Sequence, residues 1–111
     1  MKIAIPSANG MLCPHFGHCE AFAIIDINPD GTITAQREET PPPHEPGVLP
    51  QWLKSLGVEH VIAGGMGSRA QGLFNQYGIA VTVGAQQGSP EQIARAFAAG
   101  TLTSGENICD H

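Results

Sequence analysis

The sequence predicts an α/β fold built on a mixed β-sheet, and two features of its pattern carry this prediction. The first half of the chain contains consecutive strand patterns separated by turn residues, which is typical of antiparallel pairing. The second half alternates helical and strand patterns, which is typical of parallel strands joined by helices. We therefore expect a sheet that is parallel in its second half and carries helices on its faces.

Three strands are predicted in the first half. The segment from Met1 to Pro6 indicates a short buried strand that ends at the proline, because proline has no amide donor. Residues 22–28, rich in branched apolar side chains, and residues 32–37 predict a hairpin around an Asn-Pro-Asp-Gly turn. The proline-rich residues 38–47, which include His44, predict a surface loop.

The second half begins with a predicted helix. Residues 48–56 carry apolar side chains at helical spacing, and Gly57 follows as a C-terminal cap. Residues 60–64 then predict a buried strand.

Two further helices are predicted from their caps. Ser68 and Gln71 have the spacing of a capping box, which indicates a helix that runs to Tyr77. A strand is predicted at 79–84, and Ser89, Pro90 and Gln92 predict the start of a last helix that ends at Gly100.

Length and charge limit the classes of function. The 111 residues, of which 41% are hydrophobic, suit one domain that spans 1–111. Ten acidic residues against five Lys and Arg give a net charge of -5, which argues against a nucleic-acid partner. No signal peptide and no apolar run that could cross a bilayer is seen, so we expect a cytoplasmic protein without a membrane partner.

The densest cluster of reactive side chains is the heptapeptide CPHFGHC. It places Cys13, His15, His18 and Cys19 in the loop after the first strand, which is where open α/β sheets bind ligands. In a reducing compartment such a cluster indicates metal or redox chemistry more often than a disulfide. The spacing is not that of a standard zinc knuckle.

The C-terminal tail carries a second thiol and imidazole pair, Cys109 and His111. If the tail folds back on the CPHFGHC loop, the two pairs complete a set of soft ligands for zinc, copper(I) or an iron–sulfur cluster. We therefore predict that Cys109 lies close to Cys13 and Cys19. Three alternatives remain open: a structural zinc site, a thiol redox pair, and small buried cysteines with histidines that only cap turns.

A glycine-rich segment lies between the strand at 60–64 and the next helix. It contains Gly64, Gly65, Met66, Gly67 and Arg69. Backbone amides and a helix dipole at such a junction favour an anion. The alternatives are a tight turn that needs glycine for positive φ, with methionine as a core residue.

Three stretches together resemble the dinitrogenase iron-molybdenum cofactor biosynthesis family. They are PHFGHCEAFAIIDI, the segment from HEPGVLP through GGMGSRAQG to TVGA, and the terminal CDH. The resemblance spans nearly the whole chain. It implies a three-layer α/β/α arrangement on a five-stranded mixed sheet, similar to the ribonuclease H-like motif.

The resemblance also implies a function. Such accessory proteins hold an iron–sulfur or molybdenum-containing sulfide cluster between two loops, and they carry it to or from a cofactor-assembly protein without catalysis of their own. On this sequence the resemblance implies that the cluster is held by His15, Phe16, Gly17, Gly64, Gly65, Met66, Gly67 and Arg69. The candidate direct metal ligands are Cys13, His18, Cys19, Cys109 and His111, and zinc is a further candidate metal.

Overall fold

A computed structural model gives the fold of residues 1–8, 10–13, 20–42, 47–85 and 88–100. These residues form six strands and three helices. The strands are β1 (Lys2–Ala8), β2 (Met11–Leu12), β3 (Ala21–Ile27), β4 (Ile33–Glu39), β5 (His60–Ile62) and β6 (Ala80–Thr82). The helices are α1 (Val48–Ser55), α2 (Ser68–Gln76) and α3 (Pro90–Ala99).

The strands form one mixed sheet in the order β4-β3-β1-β5-β6, with β2 paired to β1 outside this path. β3 is antiparallel to both β1 and β4, so the predicted hairpin is confirmed. β5 is parallel to β1 and to β6, which confirms the parallel second half. The chain between β1 and β5 contains β2, β3, β4 and then α1, whereas the connection from β5 to β6 consists of α2 and its loops.

The sheet has six strands, and the expectation of five is therefore wrong. The additional strand, β2, has only two residues, and it pairs Leu12 with Ser7 and Met11 with Ala8. Two residues are too few to leave a periodic pattern in a sequence. β2 exists because the backbone turns back at Gly10, which has a φ of 76°.

The first strand does not end at Pro6, as the sequence predicts, but continues to Ala8. Pro6 lies within β1 opposite Phe22 of β3. Its carbonyl oxygen accepts a hydrogen bond of 2.9 Å from the Cys13 amide. Proline lacks only the donor, so it is tolerated here as a strand residue that accepts.

Several element boundaries also differ from the predicted ones. Residues 38 and 39, assigned to the surface loop, are the last two residues of β4. The strands predicted at 60–64 and 79–84 are each three residues long. Residues 43–46, which include His44, lie outside the described residues.

Apolar residues of the sheet alternate between two hydrophobic clusters, as expected for strands covered on both faces. On one face Ala4 and Val61 pack with residues of α1 and α2, among them Leu53 and Phe74. On the other face the β1 isoleucines pack with residues of α3, among them Ile93. The ribonuclease H-like motif itself stays a prediction.

None of the three described helices has both the length and the apolar character needed to span a bilayer.

Candidate functional site

The strands β1, β5 and β6 are parallel, so the loops that follow them leave the sheet at one edge. We call this region the carboxyl edge; its described residues are 12–13, 63–67, 83–85 and 88. Backbone hydrogen bonds connect the three loops there. Gly84 donates to Gly64 at 2.9 Å, and Leu12 donates to the Gly88 carbonyl at 2.8 Å. Backbone hydrogen bonds therefore join three segments that are distant in sequence at the carboxyl edge.

The helices direct their N-termini toward the same edge. α2 and α3 begin directly after the loops that follow β5 and β6. α1 ends at the opposite edge, where the Lys2 side chain donates to the carbonyl of Leu56 at 3.1 Å, so its N-terminus also points toward the carboxyl edge. Helix N-termini carry partial positive charge, and the carboxyl edge consequently favours anions.

The loop of residues 64–67 is fixed to the body of the protein. Gly64, Gly65 and Met66 are buried, and the Met66 side chain is part of the hydrophobic cluster beneath α1 and α2. The side-chain amide of Gln71 donates to the Met66 carbonyl at 2.9 Å. Gly67, by contrast, is exposed. The loop thus combines a buried anchor with an exposed backbone segment.

Positive φ does not explain the glycines of this loop. The glycines with positive φ among the described residues include Gly84 but not Gly64, Gly65 or Gly67. Gly67 has φ -63° and ψ 152°, which any residue adopts, and an added Cβ would meet no atom within 4 Å. Neither conformation nor packing in the described structure requires glycine at position 67. A close approach of a ligand to the backbone remains a reason for it.

The capping box predicted from Ser68 and Gln71 is wrong. The N-cap of α2 is Gly67, and no side-chain hydrogen bond caps it in the described structure. Ser68 is already the first helical residue, and the Gln71 side chain bonds outside the helix, to Met66. The N-terminal amides of α2 therefore have no side-chain acceptor of the usual kind.

The capping box predicted for α3 is confirmed. The Ser89 hydroxyl accepts from the Gln92 amide at 3.2 Å, and the Gln92 side chain accepts from the Ser89 amide at 3.1 Å. Glu91 adds a negative charge in the first turn. The N-terminus of α3 is therefore capped by side chains of its own chain.

Arg69 lies in the first turn of α2, where its side chain is exposed. A positive charge at a helix N-terminus is opposed by the helix dipole. An anion bound at the same N-terminus offsets that repulsion, because it interacts favourably with both the guanidinium group and the dipole. Gly67 and Arg69 thus fit one negatively charged ligand.

Cys13 is the one predicted metal ligand within the described residues, and its side chain is 3% exposed. It lies at the carboxyl edge, because its amide donates to the carbonyl of Pro6, two residues before the end of β1. The other predicted ligands and loop contacts lie outside the described residues: His15, Phe16, Gly17, His18, Cys19, Cys109 and His111. The predicted proximity of Cys109 to the first loop stays a prediction.

In the described part of the chain, no three Cys, His, Asp or Glu side chains come together as a metal site would require. The structure therefore brings together Cys13 and residues 64–69, at one edge. It assigns no complete ligand set.

The sequence did not reveal that Gln71 or the β6–α3 connection contributes to this edge. Gly84 and Gly88 provide backbone contacts there, and backbone contacts leave no residue-type pattern to read. The Gln71 contact depends on the loop conformation, which only the folded chain defines. Gly84 and Gly88 are the residue-type signals for a turn after β6, and in the structure Gly84 has a φ of 78°.

Two other features lie away from the carboxyl edge. A cavity of about 270 Å³ is lined by Met1, Ile27 and Phe97 among others, at the opposite edge of the sheet. His60, at the start of β5, hydrogen-bonds the Thr82 hydroxyl at 2.7 Å and contacts the Phe97 ring. Burial lowers the pKa of His60 below its usual value. Neither feature lies with the residues of the candidate site.

Comparison with known proteins gives consistent matches over most of the chain. The sequence profile of the family described as dinitrogenase iron-molybdenum cofactor matches residues 1–100. An uncharacterised protein of Methanocaldococcus jannaschii, MJ0580, is 37% identical over 86 residues, which are 73% of this chain and 72% of the relative.

Solved structures with the same fold include the crystal structure of PH0822, with a TM-score of 0.86 and 31% identity over 94% of each chain. A Thermotoga protein with the provisional name NifB, of the DUF35 family, was solved by NMR. It matches with a TM-score of 0.66 and 27% identity, over 93% of this chain and 91% of its own.

Proposed function

This chain belongs to the dinitrogenase iron-molybdenum cofactor family, and we propose that it binds and carries a metal–sulfur cluster. The cluster is iron–sulfur or contains molybdenum, and it is cargo rather than a resident cofactor. The protein receives it from, or delivers it to, a cofactor-assembly protein in the reducing cytoplasm. It has no catalytic turnover of its own.

The observation that carries the proposal is the uncapped N-terminus of α2. Gly67 exposes its backbone, Arg69 adds a positive charge, and the loop before them is anchored by a buried Met66. Metal–sulfide clusters are bulky anions whose sulfides accept hydrogen bonds from amides and guanidinium groups. The geometry offers those donors at the edge of the sheet where α/β proteins bind ligands.

Cys13, which lies at the carboxyl edge in the loop after β2, also supports the proposal. A cysteine thiolate is a soft ligand that suits iron–sulfur and molybdenum–sulfur chemistry. Its burial weighs against the thiol redox alternative, because a redox-active cysteine needs an accessible thiolate. The proposal includes His18, Cys19, Cys109 and His111 as further metal ligands predicted from the sequence, and His15 as a residue that contacts the cluster.

Anaerobic purification tests this function. We expect a visible absorption band, together with iron or molybdenum and inorganic sulfide in fixed ratio to protein by elemental analysis. A Cys13→Ala variant that remains folded by circular dichroism should lose most of the band. Zinc alone, without visible absorption, would favour the structural zinc alternative, and a metal-free protein that cannot be reconstituted with iron, molybdenum and sulfide would refute the cluster-carrier function.

A further inference from the structure

Gln71 makes an unusual contact for a glutamine near a helix N-terminus. It is the fourth residue of α2, and its side-chain nitrogen donates at 2.9 Å to the carbonyl of Met66, two residues before the helix begins. Its backbone amide makes the first bond of the helix, to the Gly67 carbonyl at 3.1 Å. Gln71 thus contacts both residues on which the helix start depends.

The contact to Met66 determines the direction of the next amide. The described peptide bonds are trans, and in a trans peptide the carbonyl and the following N–H point in opposite directions. Because the Met66 carbonyl is turned toward Gln71, the Gly67 N–H is turned away from Gln71. Within the described residues this N–H donates no hydrogen bond, and Gly67 is exposed.

α3 shows the alternative use of the same side chain. Gln92 uses its side-chain oxygen to accept from the N-cap amide of Ser89, which consumes that donor. Gln71 uses its nitrogen on the loop carbonyl instead, which leaves the amide of the N-cap, Gly67, available. Gln92 is the third residue of α3 and Gln71 the fourth residue of α2; the N-cap amide is bonded in α3 and has no acceptor among the described residues in α2.

We infer that Gln71 is a positioning residue, which acts through the Met66–Gly67 peptide and aims the Gly67 amide at the bound anion. The inference rests on the proposed function, because it assigns what sets the donor geometry of the same site. Gln71 itself need not touch the cargo. Without this bond the Met66–Gly67 peptide loses one of the contacts that fix its orientation, and part of the binding energy is then used to order it.

The test uses tetrathiomolybdate, MoS4²⁻, as the probe and compares Gln71→Leu and Gln71→Glu with the control Gln92→Leu. Probe affinity is measured by equilibrium dialysis with molybdenum analysis, and the Gly67 amide is followed by ¹H–¹⁵N NMR. We expect Gln71→Leu to weaken binding roughly three- to tenfold, the range that one net hydrogen bond supports. Gln71→Glu should weaken it further, since its carboxylate repels both the Met66 carbonyl and the probe.

The Gly67 resonance distinguishes positioning from a general loss of stability. In Gln71→Leu it should shift in the free protein and lose its response to the probe, whereas Gln92→Leu should keep wild-type affinity and the wild-type response. If Gln71→Leu only lowers the melting temperature, with affinity and the Gly67 response unchanged, the positioning role is wrong and the proposed function stands. If the wild-type protein does not bind the probe, the anion site and the role of Gln71 both fail.

Discussion

The N-termini of α2 and α3 lie at the same edge of the sheet, but they differ in capping and in charge. At α3, Ser89 and Gln92 bond each other's backbone, and Glu91 neutralises the dipole. At α2 the N-cap is a glycine without a side-chain bond in the described structure, no acid lies in the first turn, and Arg69 adds a positive charge.

The two N-termini suggest different roles: that of α3 contributes to stability, and that of α2 is suited to bind a ligand. A Ser, Thr, Asp or Asn cap contributes about 1 kcal/mol relative to alanine, and an acid in the first turn about 0.3–1 kcal/mol. α3 has both contributions and α2 has neither. The stabilisation that α2 lacks within the chain is available to an external anion, which supplies the missing acceptors and the missing negative charge.

The largest expected effect concerns the anchor of the α2 loop. Met66→Ala should lower the free energy of unfolding by about 2–5 kcal/mol, because the side chain is fully buried and its removal leaves a cavity. Met11→Ala is the matched control, since Met11 is 39% exposed. It should cost less than about 0.5 kcal/mol in urea denaturation. A loss below about 1 kcal/mol for Met66→Ala would show that the loop is not anchored by this residue.

Gly67→Asp should make the start of α2 resemble that of α3. The backbone accepts the new side chain, and a carboxylate can cap the amides, so stability should rise by about 0.5 kcal/mol. The same carboxylate competes with an anionic ligand, and affinity for tetrathiomolybdate should fall at least about tenfold. Gly67→Ala adds the Cβ without the charge, so its affinity should lie between those of the wild-type protein and Gly67→Asp. Unchanged probe binding in Gly67→Asp would remove this N-terminus from the site.

Ser89→Ala makes the opposite change, at α3. It removes the hydroxyl that accepts from the Gln92 amide, and the free energy of unfolding should fall by about 1 kcal/mol. Affinity for tetrathiomolybdate should stay at the wild-type value, because the N-terminus of α3 is capped by its own side chains and is not part of the proposed anion site. A loss of affinity as large as that of Gly67→Asp would contradict the division of roles between the two helices.

The smallest expected effect is the pH dependence of the packing beneath α3. Burial lowers the pKa of His60 in the folded protein, whereas the unfolded chain has the ordinary value of about 6.5. Protonation therefore favours the unfolded chain. The stability due to neutral His60 is complete above about pH 6.5 and is lost as the pH falls through the lower folded-state pKa.

The measurement compares urea unfolding of the wild-type protein and His60→Asn at pH 7.5 and pH 5.5. The wild-type protein should lose more stability between these values than the variant does. The His60 ring protons should titrate below the usual histidine range by NMR. Equal losses in the two proteins would assign the pH dependence to other groups.

Much of the fold could be predicted because its signals are local. The α3 cap depends on Ser89, Pro90 and Gln92, which are neighbours in sequence, and the structure confirms it. The hairpin of β3 and β4 depends on the Asn-Pro-Asp-Gly turn that follows the apolar run of β3. The same rule failed at Ser68 and Gln71, because the folded loop offers Gln71 a better partner in the Met66 carbonyl.

For the candidate site, the residue types can be read from the sequence: a cysteine at position 13, a glycine-rich junction, and an arginine at position 69 near the start of a helix. Three features are seen only in the folded chain: Cys13 and residues 64–69 lie at one edge, Gly67 rather than Ser68 is the N-cap of α2, and β2 is present. The physical reason is that these features depend on backbone hydrogen bonds between distant segments, such as Cys13 to Pro6 and Gly84 to Gly64. Every residue type except proline can donate such bonds, so the sequence does not specify them one residue at a time.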